Sequence, residues 1–544
     1  MEKTEYNTCH NRGDHGVKNI TSSVYSFEKL RNEGYLYVDK TEFIWNLINP
    51  AGESYFLSRP RRFGKSLTIS TLKAVFEGKK ELFKGLAIYD KPYDWKPYPV
   101  IHLSFADFTS VNDTMEKLDR YLLRKVREIA KELGVPLTVD DDSSQAFAEL
   151  IDFFKFKSQV VILVDEYDKP ILENISNPNV KEIQKCLKGF YSVLKDRNTQ
   201  ERLLFVTGVS KFCHVSLFSD LNNLTDITMN AKYATMLGYT QTEFESNYKE
   251  QIEAVEKTQG LSHQDFLAEI KNWYDGFRFH AESESVYNPV SLASFFEHRG
   301  EFNNYWFQTG TSSFLFEIMK KESFNLPEAL ESTVSSSFFE AFEIDRLNPK
   351  ALLYQTGYLT IGKTVKVPVP FTKIMNTEYT LVFPNYEVKS SFNDHLLKYY
   401  TNVQTDQSQR LIRDLIQDIG SGNADGFMKQ LQTLFANIPY DMRGKEEHDY
   451  QTVIYVIFMM LHIFIEGEHR TGEGRIDLML SAGDWIYVIE LKLNKTADAA
   501  MQQIHDKNYA LKFRNRCKKI MLIGANLDSE KGQLTDWIKE EYHG

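Results

Sequence analysis

From residue 24 to about residue 210, short apolar runs alternate with stretches of helical spacing. Tyr55-Phe56-Leu57-Ser58 is a strand pattern, and beyond it Leu67, Ile69, Leu72 and Val75 recur at the period of a helix. Val100 to Phe105 reads as a second strand. Val160 to Val164 is an unbroken apolar run, as expected of a strand buried on both faces of a parallel sheet, and Leu203 to Gly208 repeats it. Strands that alternate with helices predict an α/β domain built on a parallel sheet. From about residue 236 to 340 the pattern turns helical and rich in aromatic residues.

The following segment changes period again. A helical stretch running toward Ile361 leads to a strand over Lys363 to Val367, then a turn-rich stretch, a second strand over Tyr379 to Pro384, and a helix from Tyr386. That is the element order of a winged helix. Residues from about 405 to 440 read as connecting helices. The last hundred or so return to strands: Leu478-Met479-Leu480, the turn Ser481-Ala482-Gly483-Asp484, the run Trp485 to Ile489, a helix, and a final strand Ile520 to Gly524. The expected division is a flexible N-terminus over 1–22, an α/β domain over 23–235, a helical lid over 236–345, a winged-helix-like domain over 346–400, a helical connector over 401–440 and a second α/β domain over 441–544.

Composition narrows the class. With 544 residues, 42% of them hydrophobic, several packed domains are expected. The best candidate for a membrane span, Val453 to Ile465, is too short and reads as a buried helix, so no membrane partner is expected. The N-terminus carries no apolar signal-peptide core. Cys9, Cys186, Cys213 and Cys517 are far apart, which argues against a zinc site or disulfide framework and fits the cytoplasm. The net charge of -11 does not advertise a nucleic-acid binder, although local patches decide binding.

Two segments carry chemistry. Arg59-Pro60-Arg61-Arg62-Phe63-Gly64-Lys65-Ser66 lies between a strand and a helix and keeps the last three positions of a phosphate-binding loop. Arg59 stands where the first glycine of that loop belongs. Gly64 lets backbone N–H groups approach phosphates, Lys65 reaches the β/γ-phosphates, Ser66 ligates Mg²⁺, and Arg62 adds positive charge. Val160 to Val164 followed by Asp165-Glu166 is the pattern of a Walker B strand, with Asp165 on Mg²⁺ and Glu166 on the attacking water. Thr207 and Ser210, after the next apolar strand, occupy the place of a γ-phosphate sensor. The cofactors expected are ATP and Mg²⁺. A scaffold that binds nothing is the competing reading.

The second segment is Asp477, a strand–turn–strand gap, then Glu490-Leu491-Lys492. Side chains alternate along a strand, so Glu490 and Lys492 project from one side, and a hairpin returns Asp477 toward them. Two carboxylates and a lysine at one sheet edge can hold Mg²⁺ and activate water against a phosphodiester. Glu447 is a further candidate metal ligand. Gln503 and Tyr509 follow on a helix, and Arg514 and Arg516 belong to a basic cluster suited to phosphates.

With these motifs assembled, the chain resembles the bacterial AAA-ATPase-like family, whose members often end in a PD-(D/E)xK nuclease domain. The resemblance rests on Tyr37-Val38-Asp39-Lys40-Thr41, the Arg59 to Ser66 loop, Val164 to Pro170, Thr207 to Phe212, Trp273 to Phe279 and Tyr287-Asn288-Pro289. It implies that Arg59 is a family trait. It also implies a P-loop NTPase-like parallel sheet with a helical lid and a winged-helix-like region, followed by a restriction-endonuclease-like α/β domain. The function expected is a nucleotide-regulated, Mg²⁺-dependent nuclease acting on nucleic acid, DNA more than RNA, with homo-oligomers left open. The alternative is a nucleotide-binding switch that acts through protein contacts.

Overall fold

The computed structural model describes residues 18–109, 114–211, 223–307, 332–340, 348–401, 405–436, 476–510, 519–528 and 533–542, with 217–218, 221, 315–316, 318–319, 324, 329–330 and 530–531 between them. At 397, 399–401, 405–409, 412, 476–478 and 482 it describes the backbone alone. The chain divides into two compact units. One takes in the described residues of Met1–Gly310 and Thr333–Glu387, the other those of Thr311–Ser332 and Val388–Gly544.

The first unit is built on five parallel strands: β1 (Glu53–Ser58), β2 (Val100–Ser104), β3 (Val160–Asp165), β4 (Glu201–Gly208) and β5 (Leu224–Asp226). Their order is β2-β3-β4-β1-β5. The apolar runs behave as their pattern requires, since every residue of β3 and β4 is buried. β5 is too short and polar to be read from pattern, and it pairs with β1 from Ser54↔Leu224 to Phe56↔Asp226. Because β4 lies between β1 and β3, the loop after β1 and the acids after β3 flank the end of β4. The helix Lys65–Phe76 follows the loop directly, with Gly64 as its cap residue at φ 86°.

The helical segment is closed by good caps. Thr240 and Glu243 form a reciprocal capping box, and Asn288 caps the helix Pro289–Glu297 from its side chain. An aromatic core joins Phe244, Tyr248, Phe266, Tyr274, Tyr287 and Phe295. Beyond it come β6 (Val334–Ser335), the helix Pro349–Thr356, β7 (Thr360–Pro368) and β8 (Met375–Val382), with sheet order β6-β8-β7, then the helix Tyr386–Thr401. The helix–strand–turn–strand–helix order expected from the sequence is therefore present.

The second unit holds β9 (Ile476–Ala482), β10 (Trp485–Leu493), β11 (Lys519–Asp528) and β12 (Gln533–Tyr542), in the order β12-β11-β10-β9. β9 and β10 form the expected hairpin, β10 and β11 run parallel, and the helix Ala497–Asp506 connects them. The expectation that Ile520 to Gly524 is the last strand is corrected. β12 follows it antiparallel, and its edge position leaves most of its polar residues exposed, so it lacks the apolar run that marks an inner strand. Val453 to Ile465 lies outside the described residues. Among the described residues no helix is long and apolar enough to cross a membrane.

Candidate functional site

The phosphate-loop segment turns through two residues in the left-handed region, Arg62 at φ 66° and Gly64 at φ 86°. Lys65 is buried, and its Nζ donates to the carbonyls of Arg59 at 2.9 Å and Pro60 at 2.8 Å. Burial lowers its pKa to about 8, against the pull of Asp165, Glu166 and Asp168. Ser66 hydrogen-bonds the Asp165 side chain, whose pKa is raised, chiefly by burial. Asp165 Oδ1 is buried and has no hydrogen-bond partner among the described residues. Glu166 is half-buried at φ 57°, with its carboxylate 3.6 Å from Lys169 Nζ. The structure thus brings Lys65, Ser66, Asp165 and Glu166 to one end of the parallel sheet.

Thr207 and Ser210 reach the same end, and both hydroxyls are engaged. Thr207 Oγ1 donates to the Leu57 carbonyl at 2.8 Å, tying β4 to β1. Ser210 Oγ donates to Asp168 Oδ2 at 2.7 Å, and the Ser210 and Val209 N–H groups add to it. Asp168 is a buried anchor that the sequence reading did not single out. Gly208 permits this knot, since a Cβ there would lie 2.5 Å from Asp168 Oδ1 and 2.6 Å from Tyr167 Cδ1.

Arg59 is engaged by backbone and aromatic partners. Its guanidinium is fully buried, donates to the carbonyls of Ser58 (2.9 Å), Thr228 (2.7 Å) and Tyr233 (3.1 Å), and sits 4.1 Å from the centroid of Phe279. Phe63 packs edge-on against Phe277 and Phe279. The Trp273 to Phe279 motif is therefore the seat of the loop, while Arg278 bonds β7 through Thr360 and the Gly362 carbonyl. Trp306 Nε1 donates to the Arg61 carbonyl at 3.2 Å, and its backbone N–H donates to Glu387 at 2.8 Å. Glu387, missed in the sequence, also accepts from Ser291 Oγ at 2.8 Å, and burial pushes its pKa up to about 8. Beside the loop, Tyr37, Val38, Thr68, Leu237 and Tyr239 line a cavity of about 110 Å³ that Arg62 and Gly64 border.

In the second unit, Asp477 is the register partner of Glu490 across the hairpin. Glu490 and Lys492 are both buried, and Lys492 Nζ donates to Glu490 Oε1 at 2.7 Å. Gln503 completes a triangle. Its Oε1 accepts from Lys492 Nζ at 2.5 Å and its Nε2 donates to Glu490 Oε1 at 2.5 Å. Thr496 caps that helix and so fixes which face presents Gln503. Gly524 sits beneath it, where a Cβ would lie 2.5 Å from Met501 N. The expectation that Tyr509 shares the helix of Gln503 is corrected: the helix ends at Asp506, and Tyr509 lies beyond it, packing against the local apolar core with Ile504 and Ile520. The Asp477 side chain, Glu447, Arg514 and Arg516 lie outside the described residues. Among the described residues no group of three or more His, Cys, Asp or Glu converges as a metal site.

A loop–lysine–carboxylate site on a parallel sheet, and a Glu-x-Lys strand paired to an aspartate, define an ATPase-like module joined to a nuclease-like one. Residues 22–218 match the family described as predicted AAA-ATPase, and residues 445–537 match the PD-(D/E)XK nuclease superfamily. The chain belongs to the family of AAA-ATPase-like proteins with a C-terminal PD-(D/E)XK nuclease superfamily domain. A relative from Azotobacter chroococcum mcd 1, described as an uncharacterized protein in the vnfD 5' region, is 34% identical over 535 residues, covering 96% of this chain and 99% of its own.

Proposed function

We propose that the chain is a Mg²⁺-dependent nuclease whose action on nucleic-acid phosphodiesters is regulated by nucleotide at the N-terminal module. The observation that carries this reading is the triangle that half-buried Gln503 forms with the buried Glu490 and Lys492 of the strand paired with Asp477. Carboxylate oxygens are the donors a hard divalent cation prefers, so Glu490 and Asp477 would hold Mg²⁺ there. When bound, the ion supplies Lewis acidity and a water of lowered pKa. Lys492 stabilises negative charge developing on the phosphate, and Gln503 holds Lys492 and Glu490 in register.

At the N-terminal module, the unpartnered Asp165 Oδ1 beside the Ser66 hydroxyl is a fitting pair of oxygen donors for Mg²⁺. Lys65 would carry the phosphates of ATP, with Arg62 and the N-terminus of the helix from Lys65 adding positive field. The cavity lined by Tyr37 and Tyr239 suits the base. Glu166 is the acid with exposure enough to orient a water.

The test is incubation of the full chain with plasmid, single-stranded DNA and RNA, with Mg²⁺ or Mn²⁺, with and without ATP, beside Glu490→Ala. Cleavage that the variant lacks, and that ATP modulates, is the expected outcome. Cleavage retained by Glu490→Ala would sink the assignment. No cleavage of any substrate would favour the second reading, a nucleotide-binding switch.

A further inference from the structure

The helix Met115–Glu132 belongs to neither site. Leu118, Leu122, Val126 and Ile129 form its buried face, which packs against β2 and the helices Ser143–Asp152 and Val180–Ser192. Its outer face exposes Lys117, Arg120, Arg124, Arg127 and Lys131. These positions advance by steps of three and four, so at 3.6 residues per turn the five side chains fall within an arc of about 80° and extend over about 21 Å of helix. Glu116 and Glu128 flank the arc, and Asp119 and Glu132 lie further round. The stripe borders a groove of about 720 Å³ that Tyr121 and Asp140 also line.

Some of this charge is already engaged. Arg124 pairs with Glu128 at 2.9 Å and reaches Asp107 at 3.9 Å, and Arg127 donates to the Asp140 carbonyl. Lys117, Arg120 and Lys131 have no ion pair among the described residues. In a chain of net charge -11, a row of five cations with no acid inside its arc is a local reversal of sign.

We propose that this stripe binds the sugar-phosphate backbone of a nucleic acid, independently of base sequence. Cations repeated at regular intervals suit a polymer of regularly spaced phosphates, and three of the five are guanidinium groups, which grip phosphate oxygens in pairs. A bilayer is the poorer fit, because the helix's apolar face is consumed by the protein and none remains to enter lipid. Tyr121 connects the stripe to the sheet end described above. Its hydroxyl donates to Asp107 at 2.6 Å and to the Ser104 carbonyl at 3.3 Å, and Ser104 is the register partner of Asp165. The proposal stands whether or not the C-terminal site cleaves.

The experiment is fluorescence anisotropy of the full chain with labelled duplex DNA, single-stranded DNA and RNA in EDTA, between about 50 and 200 mM salt. Five phosphate contacts on duplex DNA give a log–log salt slope of about −4.5. Lys117→Glu/Arg120→Glu/Lys131→Glu should reduce that slope by about 2.7 and weaken binding about tenfold or more. Lys232→Glu/Lys249→Glu/Lys257→Glu makes the same change in net charge elsewhere and should keep the original slope. The three glutamine substitutions at 117, 120 and 131, with thermal melts, guard against misfolding and should fall between. Equal slope and affinity in the stripe variant would overturn the proposal. So would capture by phosphatidylserine vesicles with no affinity for any nucleic acid, or binding to neither.

Discussion

Arg59→Gly restores the glycine that a standard phosphate loop carries at its first position, and by motif alone it should improve the site. The geometry predicts the reverse. The Arg59 guanidinium is buried and donates to three backbone carbonyls, two of them (Thr228 and Tyr233) beyond β5, while stacking on Phe279. Hydrogen bonds from a charged donor are worth about 1.5–3 kcal/mol each. Burial opposes the charge, holding the pKa of Arg59 down to about 10, so part of that gain is spent on desolvation. The balance is a loss of about 3–5 kcal/mol, from carbonyls left without donors and a cavity beside Phe279. Thermal unfolding should move the N-terminal unit's transition down by about 4–7 °C, and titration with a fluorescent ATP analogue should show weaker binding. An unchanged transition together with tighter binding by Arg59→Gly would refute the reasoning.

Three further outcomes follow from the same geometry. Lys65 has its pKa lowered to about 8, so nucleotide affinity should be flat below that pH and fall about tenfold per unit above it, a dependence that isothermal titration should find absent in Lys65→Met. Glu387 is raised from 4.5 to about 8, so the folded chain keeps a proton that the unfolded chain sheds near 4.5. Its contribution to stability is present at low pH and is lost as pH rises between those values, by up to about 1.4 kcal/mol per unit, and urea unfolding of Glu387→Gln should give a flatter profile over that window. Gln503→Leu strips a partner from both Lys492 and Glu490 and should cost the C-terminal unit roughly 1–3 kcal/mol in urea unfolding; equal stability would mean the triangle is not holding that unit together.

What could be read in advance was local. The apolar run Val160–Val164 marked a buried strand because a strand covered on both faces has no polar side to show. The alternation around Glu490 and Lys492 placed both on one face, and they touch. What escaped depends on distant chain. Arg59 stood in a glycine's place without a local reason, because two of its three acceptors lie about 170 positions away. Asp168 and Glu387 carried no signal of their own in the sequence, since only the fold supplies the donors that surround them. The basic stripe on Met115–Glu132 was hidden in the linear sequence by interleaved acids, which the helical period rotates out of its arc.

The pairing of β1 has a consequence for the order of events during synthesis. β1 carries the phosphate loop at its end, yet both of its neighbours, β4 and β5, are made much later. Glu53 pairs with Leu203, 150 positions on. At about 5–20 residues per second the ribosome takes roughly 8–30 s to deliver that partner. Until then Tyr55, Phe56 and Leu57, all buried in the finished sheet, belong to a strand with two open edges. The loop from Arg59 to Ser66 is thus among the earliest parts of the unit to be translated and among the last to be assembled, and the newborn chain is exposed to off-pathway pairing throughout that interval.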